Sequence, residues 1–311
     1  MEIKIGTRKS LLAMWQANHV KDALEAQGVH VTLLPIETKG DKVLDVSIAK
    51  IGSKGVFTEE LEAMLESGEI DIAIHSAKDL PSELPAQFDI LAFSAREKAN
   101  DVLVSHNKSL GLKDSHAAFK IGTSSTRRIA TLAHYFPNIE TVEIRGNLQT
   151  RIGKMEAGHC DALLLAYAGV ARMGYHGLIN QELPLDIFTP AVGQGSLAVE
   201  IAISLSAEKK AKVRDIINDP TAEIILKCER AFLRKLKGGC SIPAFAYAHI
   251  DNGKLVLKAG IFSLNGKENV KKTMEGTIDS PAELGLKMGE FVLQHGGTEI
   301  LAHINSALNR G

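Results

Sequence analysis

Cysteine is scarce in this chain: three residues in 311, at positions 160, 228 and 240, with no CxxC or Cys/His spacing around any of them. A cysteine-based zinc site is therefore not expected. Long apolar runs are missing too. No window approaches the roughly 20 uninterrupted apolar residues that a membrane-spanning helix needs. The start, Met1-Glu2-Ile3-Lys4-Ile5-Gly6, reads as a strand and lacks the apolar core of a signal peptide, which together with the unpatterned cysteines points to a reducing cytoplasm. Nor is there an excess of one charge. Lys and Arg number 36 against 37 Asp and Glu, a net charge of −1 that argues against general nucleic-acid binding. What remains, 45% hydrophobic and 23% charged residues over 311 positions, describes a soluble globular protein of two or three domains.

Most of the chain alternates short apolar strands with amphipathic helices, the pattern of a parallel sheet covered on both faces. Strand Ile3 to Gly6 runs into Thr7-Arg8-Lys9-Ser10. Ser10 can cap a helix whose Ala13, Ala17, Val20 and Leu24 share one face before Gly28 ends it, and strand Val31 to Ile36 follows. Two echoes recur in the same order. Ile5-Gly6-Thr7 before a basic turn returns as Ile121-Gly122-Thr123-Ser124-Ser125-Thr126-Arg127-Arg128. The helix, glycine and aspartate before strand Ile70 to Ile74 return as Met155-Glu156-Ala157-Gly158-His159-Cys160-Asp161 before Ala162 to Leu165. Chance likeness between short βα units is common, but two echoes in order suggest two α/β lobes built alike. Gly6 and Asp71 lie 65 residues apart and Gly122 and Asp161 only 39, so the first lobe carries 26 more residues. These fall in the glycine- and lysine-rich stretch between Thr38 and Gly55, where a long loop is either a disordered segment or a lid; Lys54 and the lysines before it favour a lid that brings positive charge over a cleft.

Each lobe aims cations at one place. A glycine turn feeding a helix start exposes free N–H groups and the positive end of the helix dipole, a natural anion site. Arg8 and Ser10 sit on one such turn; Ser125, Arg127 and Arg128 sit on the other, and Arg145, Arg151 and Arg172 follow. Arginines are commonly solvated surface partners. Placement after strand ends, where open α/β sheets bind ligands, favours a polyanion cleft, because guanidinium forks suit carboxylates and phosphates. At the end of strand Ile70 to Ile74 stands His75-Ser76-Ala77-Lys78-Asp79-Leu80-Pro81. Asp79 is either a salt-bridged surface group or, facing an arginine-lined cleft, a general acid and stabiliser of developing positive charge. His75 fits a hydrogen-bonded structural role better than metal ligation, having no partner ligand near it. Cys240, in Lys237-Gly238-Gly239-Cys240-Ser241-Ile242-Pro243, lies on a turn whose two glycines can take angles closed to other residues. It is either a small buried filler or a nucleophile.

These segments resemble one family, hydroxymethylbilane synthase, also called porphobilinogen deaminase. The carriers are Gly6-Thr7-Arg8-Lys9-Ser10, Gly52-Ser53-Lys54-Gly55-Val56-Phe57, His75 to Pro81, Gly122 to Arg128, Arg145-Gly146-Asn147, Pro190-Ala191-Val192-Gly193-Gln194-Gly195 and Gly238-Gly239-Cys240. Departures are mild: Ala77 stands where the family often has methionine, Tyr167 where it usually has a small residue, and Ser241-Ile242 where Gln-Val is frequent.

The resemblance implies an α/β fold of two lobes like those of type II periplasmic binding proteins, plus a small α+β C-terminal domain. The divisions expected are 1–95 and 195–218 for the first lobe with lid loop 38–58, 101–190 for the second, and 219–311 for the domain carrying Cys240. It also implies a transferase that condenses four porphobilinogen molecules into hydroxymethylbilane, primed on a dipyrromethane cofactor held by a thioether to Cys240. Asp79 would be catalytic. Lys78, Ser76, Ser125, Arg127, Arg128 and Arg145 would hold the cofactor. Arg8, Ser10, Gln16, Arg151, Arg172, Lys54 and Phe57 would meet the substrate. The expected partner is porphobilinogen alone, for a cytoplasmic monomer without metal, membrane or nucleic acid. A non-catalytic solute-binding protein with the same lobes would explain the twin anion turns but not a thiol outside both lobes. A cysteine hydrolase would need a His/Asn arrangement that the sequence does not show.

Overall fold

The computed structural model describes residues 1–38, 58–112, 119–239 and 242–308. The lid segment 38–58 lies outside them except for its end residues. Two five-stranded sheets are built to one plan. The first collects β1 (Glu2–Arg8), β2 (His30–Ile36), β3 (Ile72–Ser76), β4 (Phe88–Phe93) and β10 (Leu197–Ala202); the second collects β5 (Asp101–Val104), β6 (Lys120–Gly122), β7 (Glu140–Val142), β8 (Ala162–Ala166) and β9 (Ile179–Glu182). Their orders are β2-β1-β3-β10-β4 and β7-β6-β8-β5-β9. Neither sheet is purely parallel. In each, the fourth strand runs antiparallel to its neighbours because it arrives from the other lobe: residues 94–100 lead from β4 into β5, and residues 183–196 lead from β9 back into β10.

The internal echo has a packing cause. A Cβ on Gly6 would lie 2.3 Å from Ile70 Cδ1, and one on Gly122 would lie 2.6 Å from Ile144 Cγ1 and 2.7 Å from Cys160 Sγ. Each glycine thus admits the residue that precedes the next strand. The aspartate that follows pins the two segments together: Lys4 N–H donates to Asp71 Oδ2 at 2.9 Å, and Lys120 N–H to Asp161 Oδ2 at 2.7 Å. Cys160 is accordingly a buried packing residue.

Helix α1 (Leu11–Glu25) follows β1, with Ser10 Oγ accepting the Ala13 N–H and Ala13, Ala17, Val20 and Leu24 buried. Ala17, Val20 and Leu24 pack on Ile3, Ile5, Ile72 and Ile74 of the sheet, and each large aliphatic side chain buried there contributes about 1.5–3 kcal/mol. The other face of the first sheet is covered by α2 (Glu59–Ser67), with Leu61 and Leu65 in the core. In the second lobe α3 (Thr126–Tyr135), α4 (Leu148–Glu156) and α5 (Tyr167–Arg172) take the corresponding places, and α6 (Ala207–Ile217) completes the first.

Asp219 caps α7 (Pro220–Lys235), accepting the Ala222 N–H at 2.6 Å. The antiparallel sheet β11 (Ala244–Asp251), β12 (Lys254–Phe262) and β13 (Asn269–Thr277) follows, its first hairpin closed by Asn252 and Gly253 at φ 48 and 76. Helices α8 (Pro281–Val292) and α9 (Thr298–Leu308) end the chain. The core of this domain reaches into the first lobe, where Ala77, Leu80, Phe93 and Ala198 belong to it. No helix among the described residues is long and apolar enough to cross a membrane.

Candidate functional site

A cleft of about 530 Å³ opens where the carboxyl ends of the strands in both sheets face each other. Among the described residues seven cations line it, Arg8, Lys9, Lys78, Arg128, Arg145, Arg151 and Arg172, against two carboxylates, Glu37 and Asp79. That imbalance gives the cleft a field that attracts anions. Ten of the residues singled out from the sequence meet here: Arg8, Ser10, Gln16, Ser76, Lys78 and Asp79 from the first lobe, and Arg128, Arg145, Arg151 and Arg172 from the second.

The first lobe offers its acid on a single 3-10 turn, Ala77 to Asp79, at the end of β3. Gln16 Nε2 donates to Ser76 Oγ at 2.9 Å and so braces α1 against this turn. Burial lowers Lys78 to about 8, with Asp79 opposing that shift and Arg128 adding to it. The ammonium is therefore desolvated and held among like charges, ready to gain from an arriving anion. Burial likewise lowers Arg151 to about 10, reinforced by Arg128, while its Nε donates to Gly146 O at 2.8 Å. Arg145 Nε rests on Glu143 at 2.5 Å. Arg172, its pKa lowered by burial, donates to Gly195 O at 2.7 Å and lies over the Trp15 ring at 5.5 Å, so it bridges α5, the second crossing and α1.

Arg127 and Arg128 part company. Asp101, fully buried on β5, accepts Arg128 Nη2 at 2.7 Å through Oδ1 and pairs with Arg127 Nη1 at 2.8 Å through Oδ2. Burial alone would raise the Asp101 carboxyl; the two guanidiniums outweigh it and hold the group well below the usual carboxylate range. Arg127 also donates to Thr189 O at 2.9 Å and does not line the cleft, whereas Arg128 does. Both guanidiniums converge on Asp101, but Arg127 is taken up by that carboxylate and the Thr189 carbonyl, while Arg128 also borders the cleft. Ser125, at the N-cap of α3, is likewise outside the lining, where Ser124 takes its place.

Asp101 and Gln194 were not singled out as site residues from the sequence. Gln194 Nε2 donates to Asp101 Oδ1 at 3.0 Å and to Ala99 O at 2.7 Å, joining the two crossings under the cleft floor. An aspartate opening a four-residue strand of otherwise apolar residues was the available signal for Asp101. His75 Nε2 lies 2.8 Å from Glu200 Oε2, both buried, on the face of the first sheet covered by α2.

Cys240, Lys54 and Phe57 lie outside the described residues. The approach to the cysteine is nonetheless defined. Lys237 takes the left-handed conformation there, at φ 50. Gly238 is needed for closeness, since a Cβ there would lie 2.4 Å from Ile242 Cδ1 and 2.9 Å from Leu233 Cδ1. Cys228 is fully buried on α7, and burial pushes its thiol up to about 12, leaving it inert.

Residues 3–210 match the family model for the porphobilinogen deaminase dipyromethane cofactor binding domain, and residues 224–294 match that for the porphobilinogen deaminase C-terminal domain. A porphobilinogen deaminase of Desulfosudis oleivorans is 53% identical over 98% of this chain and 98% of its own. One of Cytophaga hutchinsonii is 50% identical over 99% of this chain and 98% of its own. Among solved structures, the periplasmic VFT2 domain of Bordetella pertussis BvgS is similar at a TM-score of 0.43 and 16% identity, covering 69% of this chain and 86% of that one. With both family models matched in order and half of all positions shared with relatives along nearly the full length, the chain belongs to the porphobilinogen deaminase family.

Proposed function

We propose that this chain is a transferase that joins four porphobilinogen molecules head to tail into hydroxymethylbilane, losing ammonia at each addition, primed by a dipyrromethane bound through a thioether to Cys240. One observation carries the reading: a cleft lined by seven cations closes on Asp79, presented at the end of β3. Each pyrrole of the substrate bears two carboxylates, so a growing chain is a polyanion that such a cleft suits.

The donor set fits the cofactor, whose carboxylates need desolvated cations: Lys78, Arg128 and Arg145 would hold it, with Ser76 at the end of β3, and it supplies a free α-carbon on which the chain grows. Arg127 supports this set through Asp101, and Ser125 through the helix start that carries both arginines. Arg8, Ser10, Gln16, Arg151 and Arg172 bind the incoming and growing carboxylates, with Lys54 and Phe57 closing over them. Asp79 delivers a proton to the aminomethyl nitrogen as the C–N bond breaks and ammonia departs. Its carboxylate then faces the cation left on the substrate carbon and takes up the proton released when the new C–C bond forms. Charge stabilisation of this kind in a desolvated cleft far exceeds its worth in water.

Residues 1–95 and 195–218 form the first lobe in this reading, 101–190 the second, and 219–311 the domain that brings Cys240 to the cleft. The chain works as a cytoplasmic monomer. The test is porphobilinogen turnover by Asp79→Asn. The amide keeps the shape but neither donates the proton nor offsets the cation, so turnover falls at least about a hundredfold with folding and cofactor retained. Near-normal turnover would move the chemistry elsewhere.

A further inference from the structure

Two consecutive residues of α7 bear on the turn that carries Asp79, Glu229 through Gly193 and Arg230 through Pro81 and Ser82. Glu229 is fully buried; its Oε2 accepts the Gly193 N–H at 2.8 Å, and its Oε1 accepts the Ala248 N–H at 2.8 Å and Arg96 Nη1 at 2.6 Å. Gly193 lies against the turn so closely that a Cβ there, at φ 75, would sit 3.0 Å from the Ala77 carbonyl carbon and 3.1 Å from Lys78 N. Beyond the turn, Arg230 Nη2 donates to Pro81 O at 2.8 Å and reaches Ser82 O at 3.4 Å. Ala77 and Leu80 are buried with Ile225 and Phe232 of the same helix. The turn therefore belongs to the first lobe by its strand and to the C-terminal domain by its packing.

Arg230 is the unexpected member. Among the described residues its guanidinium forms no ion pair, and it donates only to backbone carbonyls. Burial, with Arg234 adding to it, pulls its pKa to about 10, while Glu200 and Asp89 oppose the shift from a distance. A largely buried cation without an ionic partner is a poor source of stability compared with an apolar residue of its size. What it does supply is a fixed position for Pro81.

We infer that Arg230 is a positioning residue for the reaction: from the helix that runs on toward Cys240, it holds the turn that sets the Asp79 carboxyl in the cleft. This rests on the reading of Asp79 as the acid. Loosening the turn displaces that carboxyl without changing its charge or removing a cation from the cleft. Misplacement by about 1 Å can cost a hundredfold in rate, and substrate binding is left to residues elsewhere.

The experiment measures kcat and KM for porphobilinogen on Arg230→Met, Arg230→Lys and Asp79→Asn holoenzymes, each normalised to cofactor occupancy by intact mass. For Arg230→Met, kcat per holoenzyme should fall at least about tenfold with KM within about twofold of the parent, as for an interaction that matters only in the transition state. Arg230→Lys, whose ammonium can still donate to the Pro81 carbonyl, should recover at least about threefold over Arg230→Met, the effect of a charged hydrogen bond partly restored. A parent-like kcat in Arg230→Met, a loss confined to KM or occupancy, or a lysine variant no better than the methionine one would overturn the inference. Should Arg230→Met not fold, Arg230→Gln takes its place under the same criteria. Turnover retained by Asp79→Asn defeats the reading of the acid; turnover lost there, with Arg230→Met unaffected, defeats this inference alone.

Discussion

The two lobes share a strand order and a glycine–aspartate lock, yet only the first brings carboxylates to the cleft among the described residues. At the end of β3 the chain makes one 3-10 turn and presents Lys78 and Asp79; at the matching end of β8 it enters α5 and presents Arg172. Each antiparallel fourth strand carries one fully buried carboxylate. Glu200 on β10 meets His75, and Asp101 on β5 meets two arginines. A shared scaffold thus serves as a frame: both lobes line the cleft with cations, and among the described residues both carboxylates of the lining, Glu37 and Asp79, come from the first.

The sharpest way to break that division is to remove the carboxylate that organises the second lobe. Asp101→Asn leaves two buried guanidiniums without their anion and should cost about 3–5 kcal/mol, read as a lower unfolding midpoint together with poor holoenzyme assembly. The sign with pH follows from the depressed carboxyl. Its stabilisation is fully present above the unfolded value of about 3.9 and is lost as pH falls toward the folded one. Acid unfolding of the parent should therefore steepen below about pH 4, and Asp101→Asn should lack that part of the slope.

The arginines come next. Arg127→Leu and Arg128→Leu should both impair cofactor assembly, whereas Arg8→Leu and Arg172→Leu should keep some cofactor yet stall elongation at intermediate lengths. Each loss should cost about 2–5 kcal/mol at the step where a desolvated carboxylate lacks its partner. Mass spectra before and after adding porphobilinogen check this: equal occupancy and equal chain lengths in all four variants would erase the division of roles.

Much of the frame was legible in the sequence because it is local. The Ser10 cap, the apolar face of α1, the Asp219 cap and the repeated spacing of Gly68 to Asp71 and Gly158 to Asp161 each lie within one or two elements. What stayed hidden is long-range. Arg96 and Glu229 are 133 positions apart, and Arg230 and Pro81 are 149, so no window of sequence carries their pairing. The separation of Arg127 from Arg128 was equally invisible, since two adjacent arginines at a helix start read alike until the partner of each is known. The antiparallel fourth strands escaped as well, because a strand exchanged between lobes has the same apolar pattern as one that stays.

The glycine lock should give the smallest effects. Gly6→Ala meets the flexible end of Ile70, while Gly122→Ala meets Ile144, Cys160 and Leu163 between 2.6 and 2.8 Å. Both should destabilise by overpacking, about 1–3 kcal/mol, with Gly122→Ala the worse in chemical denaturation. Equal or reversed costs would mean that the two lobes relax differently from what their packing indicates.

The central claim is that the cleft holds a covalently primed polyanion attached at Cys240. Intact mass of the purified protein beside its Cys240→Ala, Cys160→Ala and Cys228→Ala variants tests it most directly. An adduct of two pyrrole units should appear on the parent and on the Cys160 and Cys228 variants and be absent from Cys240→Ala. The same adduct on Cys240→Ala, or none on the parent after incubation with porphobilinogen, would contradict the account.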